Sequence, residues 1–258
     1  RPYPQFTSFN IQDVSGGKIW YNSLQVSAQK RYSHGLSVTV SYTLSKNIEA
    51  LTYLNAQDAA PTRTLVGWDR PQRLTVAPIY ELPFGPGKPF LTSNQGVVSR
   101  LVGGWQMVMN TMFQSGPPMG TSGNVYLLGD PRLANPTWDR MFKTGVVDAD
   151  GTVRNVLPGE SPVYQIRPPF TLRTTPLYYG NLRDLWGREY NISFVKNTRI
   201  REGMNAQFRA EVFNIFNTPI FAMNPNLDPT STNFGKILRD NGQSNMPRQI
   251  QLALRFTF

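Results

Sequence analysis

The sequence predicts an all-β fold: seven strands forming part of a transmembrane antiparallel β-barrel, with long loops at one end. Three observations carry that expectation. Polarity alternates with period two along segments of about ten residues, longer than the five or six of ordinary strands. The polar faces hold Ser, Thr, Asn and Gln more than Lys and Glu, which suits a watery lumen. Long and short connections alternate, so the long ones fall at the same end.

The strands follow in order. Tyr21 to Lys30 sets Leu24, Val26 and Ala28 against Gln25, Ser27 and Gln29. Leu36 to Ser45 sets Leu36, Val38, Val40, Tyr42 and Leu44 against Ser37, Thr39, Ser41 and Thr43, and the short link 31–35 makes a hairpin. The third strand spans about 71–82 and is weakened by Pro78, which lacks a ladder donor. The fourth, about 103–115, sets Trp105, Met107, Met109, Thr111 and Phe113 against Gln106, Val108, Asn110 and Gln114. The fifth and sixth lie at about 188–197 and 204–213. The seventh is Gln249 to Phe258, with Ile250, Leu252, Leu254, Phe256 and Phe258 on one face.

The long connections are about 46–70, 116–187 and 214–248. Loops of that length are uncommon in compact domains. The connection 83–102 belongs at the opposite end and is longer than expected there. Phe84-Gly85-Pro86-Gly87-Lys88 reads as its tight turn, with the strands running on beyond the membrane. Aromatics near strand ends, among them Tyr21, Tyr80, Trp105 and Phe213, fit interfacial girdles. With the C-terminus in the periplasm, the long loops are extracellular and Arg1 begins in one of them.

Composition narrows the function. The chain has no cysteine and a single histidine, His34, in the first turn. Disulfides, thiolate metal sites and a histidine-based triad within it are therefore excluded. Gly85-Pro86-Gly87-Lys88 lacks the spacing and the following Ser/Thr of a phosphate loop. Asp148-Ala149-Asp150-Gly151 lacks the later ligands of a calcium loop and reads as a turn. No catalytic residue, metal or cofactor is expected, and the chain is not read as an enzyme. The net charge of +10 comes from scattered Lys and Arg with no run of four. That argues against nucleic acid and allows contact with anionic lipid or lipopolysaccharide. No apolar stretch is long enough for a spanning helix, and no signal peptide is visible at Arg1-Pro2-Tyr3.

Arg209, Glu211 and Arg255 fall on the polar side of the last two strands. An Arg facing lipid near mid-bilayer costs ~2–4 kcal/mol, so all three are expected in the lumen. Two roles stand open: an ion-pair ladder that fixes register or braces a plug, or substrate contact. Trp138, Tyr164, Tyr178, Tyr179 and Trp186 lie in the longest loop, where they either bind saccharide or peptide or pack the loop itself.

An ordered series of short motifs resembles the barrel of TonB-dependent receptors of the Oar-like type. It comprises Arg1-Pro-Tyr-Pro-Gln-Phe6, Tyr21-Asn-Ser-Leu-Gln-Val26, Ser41-Tyr-Thr-Leu-Ser-Lys46, Trp68-Asp-Arg-Pro-Gln-Arg73 and Tyr80-Glu-Leu-Pro-Phe-Gly85. It continues through Gly103-Gly-Trp-Gln106, Gln114-Ser-Gly-Pro-Pro118 and Phe208-Arg-Ala-Glu-Val-Phe-Asn-Ile-Phe-Asn217 to Phe258. The resemblance implies a transporter of the Gram-negative outer membrane, importing or exporting a substrate with energy drawn through a plug and the TonB complex. It implies a barrel of about twenty-two strands, of which this chain resembles the last third. Neither plug nor TonB box has a counterpart in it. The remaining strands and plug are expected from the same gene product or a separate chain. Phe256 and Phe258 resemble the terminal aromatic signature read by the barrel-assembly machinery. The competing expectations are a passive porin-like or adhesive barrel, and a soluble secreted β-rich binding domain.

Overall fold

The structure, a computed structural model, describes residues 16–85, 87–91, 97–220, 225–238, 243 and 245–258. Arg1 and its neighbouring motif, expected in an extracellular loop, lie outside them.

One antiparallel sheet forms the body. Its strands are β1 (Lys18–Ser33), β2 (Leu36–Ala50), β4 (Gln72–Glu81), β5 (Trp105–Gln114), β12 (Gly187–Arg201), β13 (Met204–Phe213) and β14 (Gln249–Thr257). They stand in the order β1-β2-β4-β5-β12-β13-β14, each beside the next of the seven in sequence, with short β3 (Thr64–Leu65) added at the end of β2. β1 and β14 occupy opposite edges, so the described sheet is open. All seven expected strands are present. Three are longer than expected: β1, β2 and β12 reach 16, 15 and 15 residues. Fifteen residues extend about 50 Å. Even tilted by about 40°, they overshoot a ~25 Å apolar band.

The hairpin between β1 and β2 turns on two residues, His34 (φ 51°) and Gly35 (φ 78°). Both sit in the left-handed region, as a primed two-residue turn requires. Pro78 is tolerated in the sheet interior: β4 pairs β5 through Val76 and through Ile79, and the ladder between them skips Ala77 and Pro78. A missing donor there breaks little.

The connection between β4 and β5 departs from expectation. Lys88 N–H donates to the Gly85 carbonyl at 3.0 Å, which makes the expected turn. The strands do not run on to this turn as expected, because β4 ends at Glu81 and β5 begins at Trp105. Val97–Val102 instead form α1, one short helix.

The connection between β5 and β12, expected as loop, is folded. It carries β6 (Pro118–Gly120), β7 (Val125–Leu127), β8 (Val146–Val147), β9 (Val153–Arg154), β10 (Tyr164–Ile166) and β11 (Tyr178–Arg183). β7, β10, β8 and β9 form one small sheet, and β11 pairs β6 at the neck. Between them lies the hydrophobic core of the described chain: Met119, Val125, Met141, Phe142, Val146, Val163, Tyr164, Tyr179 and Leu182. Phe234 and Ile237 complete it from the connection between β13 and β14. Phe142, Tyr164 and Phe234 meet edge to face, with centroids 5.3–6.1 Å apart.

Candidate functional site

The two faces of the sheet are set by register. Residues directly opposite across an antiparallel ladder share a face, and neighbours along a strand alternate. The ladders therefore join Gln25, Thr43, Arg73, Gln114 and their partners on one side, and Val26, Tyr42, Leu74 and Phe113 on the other. The same continuity runs through β12, β13 and β14. One face carries Ser27, Ser41, Thr75, Asn110, Asn191, Gln207 and Gln251, with a few apolar members such as Ile79 and Val195. The other carries Leu24, Val40, Val76, Met109, Ile192, Ala210 and Leu252. Its Lys30, Lys46, Arg188 and Lys196 lie near strand ends, where long cations reach water.

Arg209, Glu211 and Arg255 all lie on the polar face. Arg209 and Glu211 approach to 3.5 Å, both partly exposed. Arg255 stands opposite Gln207 and joins no ion pair among the described residues. The three do not form a ladder.

A cleft of about 150 Å³ opens on the same polar face. Arg73 and Thr75 of β4, Asn110 and Met112 of β5, and Glu189 and Asn191 of β12 line it. Alternation put these residues on one side. Their convergence across three strands depends on pairing between distant segments.

The long-loop end of the wall, its rim, is fastened by two of the motifs. Asp69 is buried in Trp68-Asp69-Arg70-Pro71-Gln72-Arg73. One carboxylate oxygen accepts the Asn47 N–H at 2.7 Å and the other accepts Arg183 Nη2 at 2.7 Å. Arg183 Nη1 also donates to the Asp69 carbonyl. This charge-assisted pair locks the neck of the insertion to β2 and β4. In Phe213-Asn214-Ile215-Phe216-Asn217, both asparagines take φ 50°. Asn214 receives Thr218 N–H and donates to Met246, and Asn217 receives Arg248 N–H. The short amides hold the turn that leads towards β14.

At the neck, Gly116 lies against Asp184: a Cβ there would sit 2.1 Å from the Asp184 carbonyl oxygen. The Asp184 carboxyl is largely buried, and its Oδ1 has no hydrogen-bond partner among the described residues. Burial pushes this acid up to about 7, against a downward pull from Arg70.

The loop aromatics divide. Tyr164 and Tyr179 are core residues, their hydroxyls 3.4 Å apart, so neither offers a ring to a surface ligand. Trp138 packs against that core. Tyr178 is half-buried with its hydroxyl beside Gly67, and Trp186 is exposed. Self-packing accounts for most of the set. At the far end, Phe256 lies on the apolar face and Phe258 is 86% exposed beyond the end of β14.

An antiparallel wall with one apolar, outward-reaching face and one polar face is the architecture of a membrane-spanning β-barrel protein. Residues 1–251 match the family described as outer membrane beta barrel domain, and the chain belongs to it. No curated protein and no solved structure matches the chain. Its place is accordingly the outer membrane, and its part there is barrel wall.

Proposed function

We propose that this wall belongs to a TonB-dependent transporter or receptor of the Oar-like type. One observation carries the reading: a continuous polar face crosses seven strands whose outer edges, β1 and β14, are both unpaired among the described residues. Open edges are not tolerated in hydrocarbon. On this reading the edges pair with further strands, and the closed barrel encloses a lumen that a plug fills. The ordered motifs support the same family. The end bearing the insertion is extracellular. The C-terminus is periplasmic, where the plug takes energy from the TonB complex, and the assembly machinery reads Phe256 and Phe258. The polar cleft at Arg73 and Glu189 faces plug or passing substrate.

Planar-bilayer recording of the complete barrel protein tests this against a passive pore. A plugged transporter stays closed and conducts only when denaturant loosens the plug. Steady conductance without denaturant would overturn the reading.

A further inference from the structure

The apolar face does not end with the strands. At the end opposite the insertion, the C-terminus of α1 is tied to it. The Leu101 carbonyl accepts Trp105 Nε1–H at 2.9 Å and Lys196 Nζ at 3.0 Å. Lys196 also donates to the Gly103 carbonyl, and so covers the helix end with positive charge. Trp105 and Lys196 are opposite one another in the ladder, on the apolar face. The ammonium lies 5.4 Å from the Trp105 ring centroid. Phe208, opposite Lys196 on β13, meets that ring edge-on at 6.1 Å. α1 is thus held over the lipid-facing end of the wall.

Val98 and Leu101 are three residues apart and share one side of the helix. They are 62% and 63% exposed. Phe90 and Leu91, just before the undescribed segment that leads to α1, are exposed as well. In water Val98 and Leu101 would form an apolar patch without a partner among the described residues. The patch is continuous with the lipid-facing band through Trp105 and Phe208, and a lysine sits at its margin. Apolar side chains outward, an indole and an ammonium at one level are what the headgroup boundary of a bilayer accommodates.

We propose that α1 is a lipid-interface segment. It lays Val98 and Leu101 into the acyl–headgroup boundary of the membrane leaflet at this end, with Trp105 and Lys196 at the level of the phosphates. Its partner is the phospholipid surface. This rests on the reading of the sheet as a lipid-facing wall, and the leaflet is periplasmic if the proposed orientation holds.

The test is nitroxide labelling of the complete barrel protein in phosphatidylethanolamine–phosphatidylglycerol bilayers. Cysteine is absent from these 258 residues, so Leu101→Cys and Val98→Cys each add a single thiol to this segment. Val40→Cys, mid-wall on the apolar face, and Asp150→Cys, in an insertion turn, are the controls. At Leu101 and Val98, oxygen should reach the label several-fold better, relative to a water-soluble nickel chelate, than it does at Asp150. A chelate-dominated label at both would place α1 in water and overturn the proposal. A label shielded from both probes would mean that protein covers it, which also overturns it. Two sites guard against one substitution disturbing assembly. A chelate-dominated Val40 would instead sink the wall reading, and this inference with it.

Discussion

In the insertion Phe142 is 1% exposed, whereas in the wall Leu252 and Leu254 are 65% and 61% exposed. The same kinds of residue thus point inward in one region and outward in the other. The insertion follows the rule for water: apolar side chains collapse on one another and leave polar atoms outside. The wall follows the rule for lipid: backbone groups pair along the ladders, and apolar side chains need no core because the membrane solvates them. A single chain therefore carries two solvents' worth of folding logic, joined at the Asp69–Arg183 clamp.

The largest expected effect comes from emptying the insertion's core. Phe142→Ala removes the ring that meets both Tyr164 and Phe234, at a cost of about 3–5 kcal/mol. Limited proteolysis should then cut within residues 116–186 while the wall keeps its heat-modifiable migration. Loss of both together would show that the two regions fold as one unit.

Next comes the clamp. Asp69→Ala leaves Arg183 without its carboxylate at a mostly buried site, costing about 3 kcal/mol. Hydrogen exchange should quicken along the neck, at β6 and β11, more than within the paired centre of β2 and β4. Unchanged exchange at the neck would mean that β6–β11 pairing alone holds the insertion upright.

The wall is tested by one step along β14. Leu252→Arg places a cation in lipid and costs about 2–4 kcal/mol near mid-bilayer, while Ala253→Arg places it on the polar face at little cost. Equal effects on urea midpoints in lipid would contradict the two-faced reading.

The wall was legible in sequence because its code is local. Alternation of Leu24, Val26 and Ala28 with Gln25, Ser27 and Gln29 is fixed by the pleat. Consecutive strands then pair with their sequence neighbours. The insertion's code is not local. Phe142 and Tyr164 need Phe234, which arrives from another connection, and Asp69 finds Arg183 across 114 residues. Nothing in the spacing of Tyr164 and Tyr179 told core from surface. The clamp had one signal, the Trp68 to Arg73 motif, but not its partner. The cleft at Arg73, Asn110 and Glu189 was legible as one face, never as one place.

At the neck the expected effect is smaller and depends on pH. Asp184 has its pKa raised by burial from 3.8 to about 7. Within that window the folded state holds the proton and the unfolded state does not. Stability of the neck therefore falls as pH rises from about 4 to about 7, then levels. Asp184→Asn should flatten this dependence and leave the neck firmer at alkaline pH. Exchange rates at Gly116 to Gly120, followed across the window, would show it. A slope that persists in the variant would assign the effect to another group.

The smallest effect separates a lumen charge from a clamp charge. Arg209 and Glu211 lie two apart on β13, and their contact is 3.5 Å with the arginine nearly half exposed. Across the ladders Glu211 faces Ser193 and Gln251, and Arg209 faces Val195 and Ala253. No opposite charge stands across either strand, so the pair does not fix register. An exposed pair of this kind contributes at most about 1 kcal/mol, and salt weakens it. Glu211→Gln should thus shift the urea midpoint little, and less still at high ionic strength, in contrast to Asp69→Ala. A large, salt-resistant loss would mean that Glu211 meets a fixed cation across the lumen. The bracing role would then belong to it after all, with the plug as its partner.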